Sequence, residues 1–468
     1  MELLQQLLRW LESNGETGFV VGGAVRDRLL GIAPEELDLA LTCSPRAIPV
    51  GFWREQGCTG YWLDEKREML RITTAQGERL DLSQLQGKLE EDLRQRDFTC
   101  NALACPVAAW LSGELQLTDP LGGEADLRQG RLRPASPDAL LRDPVRVLRG
   151  VRLLISRDLS FDDAMAKQLK QAARNVADAP PERISQELGK ILLDDEAALG
   201  VTYLNSLGVT EVLLPEASAM QGVTQNQYHS FAVDDHSLRA FAAFTEIVQQ
   251  GKYIPPAVRS AALDYWAALP QPLQVATMLG AWLHDIGKPP TRAIRKGRVT
   301  FYGHEQVGAQ MIGEVARRLR LSNEQAELMR TFIKYHMYPL QLWRSGHLDD
   351  RLIHRLYRRT GRWGVLIVLF TLADHLAKGE DVEGSDTFVE HQQVVERMLH
   401  AYFSQHDQVI APRPLLSGDE IAAAVGRPVG PWLRQAKALL LEAQAGGQVQ
   451  SREEAQEFVR RQEYRQQT

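Results

Sequence analysis

The chain has 468 residues, 44% of them hydrophobic and 24% charged, with a formal net charge of −6. That length exceeds one ordinary core and predicts about two to four domains, and the composition excludes a disordered, collagenous or small disulfide-framed protein. The weakly acidic balance excludes a chain that is basic throughout, so a nucleic-acid site has to be a local basic face.

At the N-terminus, Met-Glu-Leu-Leu-Gln-Gln-Leu-Leu-Arg-Trp-Leu mixes polar with apolar residues and lacks a basic start and a small-residue cleavage site. It predicts an amphipathic helix and a cytoplasmic protein. No apolar run approaches the ~18–20 residues that a membrane helix needs, and the best one, Gly364 to Asp374, ends in a carboxylate. Cys43, Cys58, Cys100 and Cys105 show no paired CxxC spacing, so they read as reduced thiols.

Up to about residue 120, short β-type runs alternate with helical patterns: Gly18-Phe-Val-Val, Leu37-Asp-Leu-Ala-Leu, Leu70-Arg-Ile-Thr-Thr, Arg79-Leu-Asp-Leu and Leu115-Gln-Leu. From Asp126 onward strand signals fade. Segments such as Pro144-Val-Arg-Val-Leu-Arg-Gly-Val-Arg-Leu-Leu repeat apolar residues at helical spacing. Breaks are predicted near 178–181, 222–226, 253–256 and 411–414, where proline or turn residues interrupt the pattern. The last residues are Gln-rich and predicted to fray.

Gly22-Gly23-Ala-Val-Arg26-Asp27 follows a strand and opens a helix, where bare backbone can approach a triphosphate; alone, such a pair also serves a tight turn for steric reasons. Glu36 and Asp38 lie at i and i+2 of the next strand and so share a face, and Asp81 can add a third carboxylate from a neighbouring strand. Three convergent carboxylates suit Mg²⁺ and in-line nucleotidyl transfer, whereas singly each fits a solvent-facing strand position.

With these, Glu90-Glu-Asp-Leu-Arg-Gln-Arg96-Asp97-Phe-Thr-Cys-Asn101, Asp119-Pro-Leu-Gly-Gly123 and Arg142-Asp143-Pro-Val-Arg146-Val-Leu-Arg149 occur in one order. Over residues 18–190 the chain resembles the bacterial class II tRNA nucleotidyltransferases and poly(A) polymerases. The resemblance implies an α+β fold with a polymerase-β-like nucleotidyltransferase head followed by an all-helical neck. It implies that Gly22 and Gly23 contact the triphosphate, with Arg26, Asp27, Arg96, Asp97, Asn101 and Arg149 nearby in the nucleotide site. Glu36 and Asp38 would hold Mg²⁺ and act with Asp81 in catalysis, and Asp143 and Arg146, taken as i and i+3 on one helix, would read the base of CTP or ATP. Three departures qualify it. Glu36 stands where Asp is usual, Arg142 where Glu is usual, and the connection from Asp81 to Arg96 is short, as in CC-adding forms. A run Tyr61-Trp-Leu-Asp-Glu-Lys66 in place of the Gly-Arg-Arg-Phe type favours tRNA over poly(A) addition.

Farther along, His236, His284-Asp285-Ile-Gly-Lys288, His304, His336 and Asp374 occur in the order of the HD metal-dependent phosphohydrolase domain, which this region resembles. By resemblance His236, His284, Asp285 and Asp374 hold a metal, with His304 and His336 available for a second metal or for phosphate, and Lys288 beside the phosphate. Such donors suit Mn²⁺, Ni²⁺, Co²⁺, Fe²⁺ or Zn²⁺. Two arginine runs, Arg128 to Arg152 in the neck and Arg351 to Arg362, are candidate RNA faces. The expected organisation is a head at 1–125, a neck at 126–225, an HD domain at 226–400 and a helical cap at 401–468. The expected function is C and/or A addition to the tRNA 3′ end. The rivals are a poly(A) polymerase, or a phosphohydrolase whose head, weakened at Glu36, only binds RNA.

Overall fold

The computed structural model describes residues 2–34, 36–225, 231–462 and 464, so the start of the expected HD segment at 226–230 and the Gln-rich end at 465–468 lie outside the described residues. The chain forms two compact units, residues 1–187 with 206–212, and residues 188–205 with 213–468. The expected neck is therefore divided between them. No described helix is long and apolar enough to cross a membrane.

The first unit is built on six strands: β1 (Gly18–Val21), β2 (Glu36–Leu41), β3 (Thr59–Asp64), β4 (Met69–Thr73), β5 (Arg79–Gln84) and β6 (Ala104–Pro106). They lie in the order β3-β4-β5-β2-β1-β6. Neighbours are antiparallel except β2 and β5, which run parallel with Asp38 opposite Asp81. The two-residue period sends Leu39, Leu41, Ile72, Leu80 and Leu82 to one face, where they are buried, and Glu36, Asp38 and Asp81 to the other. Helix Glu2–Ser13 buries Leu4, Leu7 and Leu11, and a Cβ on Gly18 would stand 2.9 Å from Leu11 and 3.1 Å from Leu41. The N-terminal helix thus closes the apolar face, each leucine contributing about 1.5–3 kcal/mol of burial.

Two strands were absent from the sequence reading. β3 has an exposed edge and β6 is only Ala104–Pro106, so neither carries a clean alternation. Conversely, Leu115-Gln-Leu forms no strand, and only Thr118 bridges to Ala104 there. One residue pair does not make a ladder.

Beyond the sheet, helices Arg146–Ser156 and Asp163–Ala173 complete the unit, with Gly150 against the Phe98 ring. Helix Gly123–Arg128 sits on the 3-10 turn Thr99–Asn101, since a Cβ on Gly123 would fall 2.1 Å from the Thr99 carbonyl.

The second unit is helical, apart from a hairpin of β7 (Ala293–Arg295) and β8 (Arg298–Thr300) whose turn puts Lys296 and Gly297 at positive φ. Its axis is helix Gly364–Leu376, buried at every position but the last. Phe370 from that helix meets Phe244 of Val233–Gln250 and Phe332 of Asn323–Tyr335 edge-on or tilted at 5.0–5.4 Å. Helices Gly418–Val425, Trp432–Ala445 and Arg452–Arg461 form a cap with its own core around Trp432, Leu440 and Val459.

Candidate active site

In the first unit the β1 strand ends at Gly22, whose φ of 74° only glycine holds without strain, and helix Gly23–Leu29 begins at the next residue. A Cβ on Gly22 would stand 2.8 Å from Arg96 Nη1 and 3.5 Å from Asp38 Oδ2, so the missing side chain lets a guanidinium and a carboxylate converge on the turn. Asp38 makes no hydrogen bond or ion pair among the described residues. Burial drives its carboxyl up from 3.8 to about 6; Asp81 and Glu36 add to the rise, while Arg96 and Arg149 oppose it. A cation beside Asp38 would relieve that shift, and hard oxygen donors on adjacent strands suit Mg²⁺.

Asp81 is differently placed. Arg71 on β4 lies directly across from it and donates from Nε to Oδ1 at 2.7 Å and from Nη2 to Oδ2 at 2.5 Å. The same Nη2 reaches Glu36 Oε2 at 3.1 Å. The sequence reading missed Arg71, although the period of β4 puts it on the carboxylate face.

Beneath the turn, the expected nucleotide residues are bonded to one another. Arg157 clasps Asp27 at 2.8 and 3.1 Å. Arg26 donates to Asp27 at 2.9 Å and to Asn101 Oδ1 at 2.6 Å, and Asn101 Nδ2 donates to Asp97 at 3.0 Å. Arg149 pairs with Asp97 at 3.1 Å. Burial alone would raise both aspartates, but Arg157 with Arg26 holds Asp27 below its ordinary value, and Arg149 with Asn101 does the same for Asp97. The chain from Arg157 to Arg149 fixes Gly22 and Gly23 from below.

Asp143 and Arg146 do not share a helix: Asp143 precedes helix Arg146–Ser156 in extended backbone with φ −146°, because Pro144 disfavours helical geometry before it. They still approach to 3.8 Å. Arg183, not foreseen from sequence, holds Asp143 at 3.1 and 2.7 Å. Arg146 donates to the carbonyls of Gln95, Arg96 and Ala139.

The neck arginines are engaged rather than free. Arg131 and Arg133 both pair with buried Asp126 at 2.8 Å, Arg128 with Glu124, Arg142 with Asp138 and Arg152 with Glu187. In the later run, Arg355 and Arg358 grip Glu442 of the cap at 2.7 and 2.6 Å, Arg351 pairs with Asp349, and Arg362 with Glu324. The later run thus pins the cap to its own unit, a role that the sequence reading as an RNA face did not include.

In the second unit all the expected HD residues converge. Asp285 Oδ2 lies 3.1 Å from His284 Nε2 and 3.8 Å from His236 Nε2, and Oδ1 lies 3.3 Å from His304 Nε2 and 3.9 Å from His336 Nε2. Asp374 Oδ1 is 3.1 Å from His236 Nε2 and 3.8 Å from His284 Nε2. On the far side of each ring Nδ1 donates to a backbone carbonyl: His236 to Ala377 at 3.1 Å, His284 to Ala281 at 2.9 Å, His304 to Phe301 at 3.0 Å and His336 to Ile333 at 2.7 Å. A carbonyl only accepts, so each Nδ1 carries a proton and each Nε2 is turned inward to the two aspartates.

Nε2 of His284, His304 and His336 and Asp285 Oδ1 are buried without a hydrogen bond, while Asp285 Oδ2 is ion-paired with Lys288. His236, His284 and Asp374 form one group able to hold an ion, and His284, Asp285 and His336 form another. Burial pushes His336 down to about 3, which keeps its ring neutral. Buried nitrogen and oxygen atoms left unbonded at this density fit a divalent cation. Lys288 Nζ stands 2.6 Å from Asp285, and Lys378, one turn after Asp374, lies 3.6 Å from it.

Residues 18–133 match the Poly A polymerase head domain, 158–220 the probable RNA and SrmB-binding site of polymerase A, and 233–378 the HD domain. The A-adding tRNA nucleotidyltransferase of Deinococcus radiodurans is 32% identical over 450 residues, covering 94% of each chain. The CC-adding tRNA nucleotidyltransferase of Thermus thermophilus is 32% identical over 450 residues, covering 94% of this chain and 92% of that one. The chain belongs to the tRNA nucleotidyltransferase family. Among solved structures, a CCA-adding enzyme complexed with ATP superposes with TM-score 0.67 over 98% of this chain and 94% of that one, and the Thermotoga maritima CCA-adding enzyme complexed with tRNA with 0.62 over the same shares. Both are 18% identical and bear on the fold alone. Within the family, the tRNA reading stands over poly(A) addition.

Proposed function

We propose that the protein is a template-independent nucleotidyltransferase that adds C to the 3′ end of tRNA from CTP, in the cytoplasm, with Mg²⁺ in the head. The observation that carries transfer is the convergence of Gly22, Arg96 and an unpaired Asp38 beside Glu36. An ion bound by Glu36 and Asp38 would supply the Lewis acidity that in-line phosphoryl chemistry uses. The turn at Gly22 and Gly23 gives the triphosphate room against the backbone, and Arg96 sets positive charge where the phosphates lie. Asp143, oriented by Arg183, offers an acceptor to the amino edge of C or A. Addition of C is favoured by the connection after β5, where only residues 85–88 precede helix Leu89–Arg94.

The assay offers tRNA transcripts ending before CC and before A, each with labelled CTP or ATP. Two C residues on the first substrate, lost in Asp38→Ala, is the expected result. Extension with ATP on the second assigns A addition instead, and no extension of either leaves the head an RNA-binding module.

The second site supports a phosphohydrolase reading because its inward Nε2 atoms surround two aspartates. A bound Mn²⁺, Ni²⁺, Co²⁺, Fe²⁺ or Zn²⁺ ion would lower the pKa of its water, and Lys288 would meet phosphate charge. Opening of a 2′,3′-cyclic phosphate at a tRNA end, lost in Asp285→Asn, tests it.

A further inference from the structure

We infer that Arg71 is a positioning residue of the transfer site, which neutralises Asp81 and tethers the longer Glu36 so that a divalent ion is directed to Asp38 and the remaining oxygen of Glu36. The inference rests on the transfer reading of the head.

Three carboxylates on one face carry three negative charges, yet the structure treats them unequally. Asp81 is held by both arms of one guanidinium, the geometry that binds a carboxylate most tightly. Glu36 shares Nη2 of that guanidinium through one oxygen, at 3.1 Å. Asp38 has no such partner among the described residues, although it stands beside Asp81 in the register. Register imposes this: Asp81 stands between Arg71 on β4 and Asp38 on β2, so the cation serves the side of the cleft away from Asp38.

Glu36 is where this matters for chemistry. A glutamate has one more rotatable bond than aspartate, and a free one on an edge of the cleft would sample several rotamers. The contact with Arg71 removes that freedom for one oxygen and leaves the other available. Asp81 then serves as the anchor of Arg71, and the three carboxylates with Arg71 together carry −2 in place of −3.

Mn²⁺ binding followed by electron paramagnetic resonance tests this on the full chain, carrying His284→Ala and Asp374→Ala to silence the second site. In Arg71→Met, without nucleotide, Mn²⁺ should bind about tenfold tighter, because two carboxylates lose their cation. Its kcat for C addition should nonetheless fall about tenfold, because Glu36 is no longer held. A residue with a merely structural role would lower both together. Arg71→Met with Glu36→Asp should recover most of the lost rate, since the shorter side chain needs no tether. Arg71→Lys, which keeps a cation without the fork, should show the same two changes at smaller size, and it decides the matter if the methionine variant does not fold.

Mn²⁺ binding no tighter than in the parent, an unchanged kcat, or a double variant as slow as Arg71→Met overturns the inference. Should the parent extend no tRNA, the transfer reading fails, while the Mn²⁺ comparison still reports on Arg71 by itself.

Discussion

Replacing Asp38 by Asn should stabilise the protein in the absence of metal while abolishing transfer. Burial and the neighbouring Asp81 and Glu36 lift the Asp38 carboxyl from 3.8 to about 6 in the folded chain. The folded state therefore holds this proton more tightly than the unfolded chain does. Wild-type stability falls as pH rises from about 4 to about 6 and stays reduced above that, by a ceiling of about 3 kcal/mol for two pKa units. Water still reaches part of the Asp38 surface, so the expected gain for Asp38→Asn at pH 7.5 is about 1–2 kcal/mol. Urea unfolding of both proteins in EDTA, repeated from pH 4 to pH 8, measures it. The difference should be near zero at pH 4, open through pH 5–6 and stay flat beyond. Added Mg²⁺ should close it by stabilising wild type. An equal difference at pH 4 and pH 7.5, or a destabilised Asn variant at neutral pH, would refute the electrostatic origin.

Gly22→Ala should cost about 1–3 kcal/mol from its positive φ and displace Arg96 from 2.8 Å away, seen as a rise in KM for CTP with tRNA binding intact. Gly287→Ala would drive a methyl to 2.0 Å from the His304 carbonyl, so the increase in melting temperature produced by Mn²⁺ or Ni²⁺ at the second site should vanish while C addition persists. Glu442→Ala releases Arg355 and Arg358, and should lower the stability of the second unit by about 1–3 kcal/mol; Arg355→Ala added to it should cost little more, as a double-mutant cycle would show. Arg183→Ala frees Asp143, and kcat/KM for CTP should fall about tenfold, the scale of one lost oriented base contact.

The parts of this site that were legible in the sequence share one property: their geometry follows from backbone period. Glu36 and Asp38 share a face because a strand alternates, and Gly22 precedes a helix because the turn needs a positive φ. The HD histidines were legible by order alone, yet the inward aim of every Nε2 depends on backbone carbonyls of Ala281, Phe301, Ile333 and Ala377, which no side-chain pattern encodes. Strands β3 and β6 escaped because one is an exposed edge and the other spans three residues.

Charge was the least legible property. A run such as Arg351 to Arg362 looks like a free cationic face until Glu442, far along the chain, is brought beneath it. Arg26, Asp27, Asp97, Asn101 and Arg149 are expected from the motifs near a nucleotide, and the structure links them in one chain of bonds under the turn. A side chain so committed can act on a nucleotide by holding Gly22 and Gly23 in place, and replacing it should disturb the turn before it disturbs any contact with phosphate. Asp38, with no such commitment, is where a cation would gain most, and the unequal sharing of one arginine among three carboxylates would separate a metal ligand from its supports.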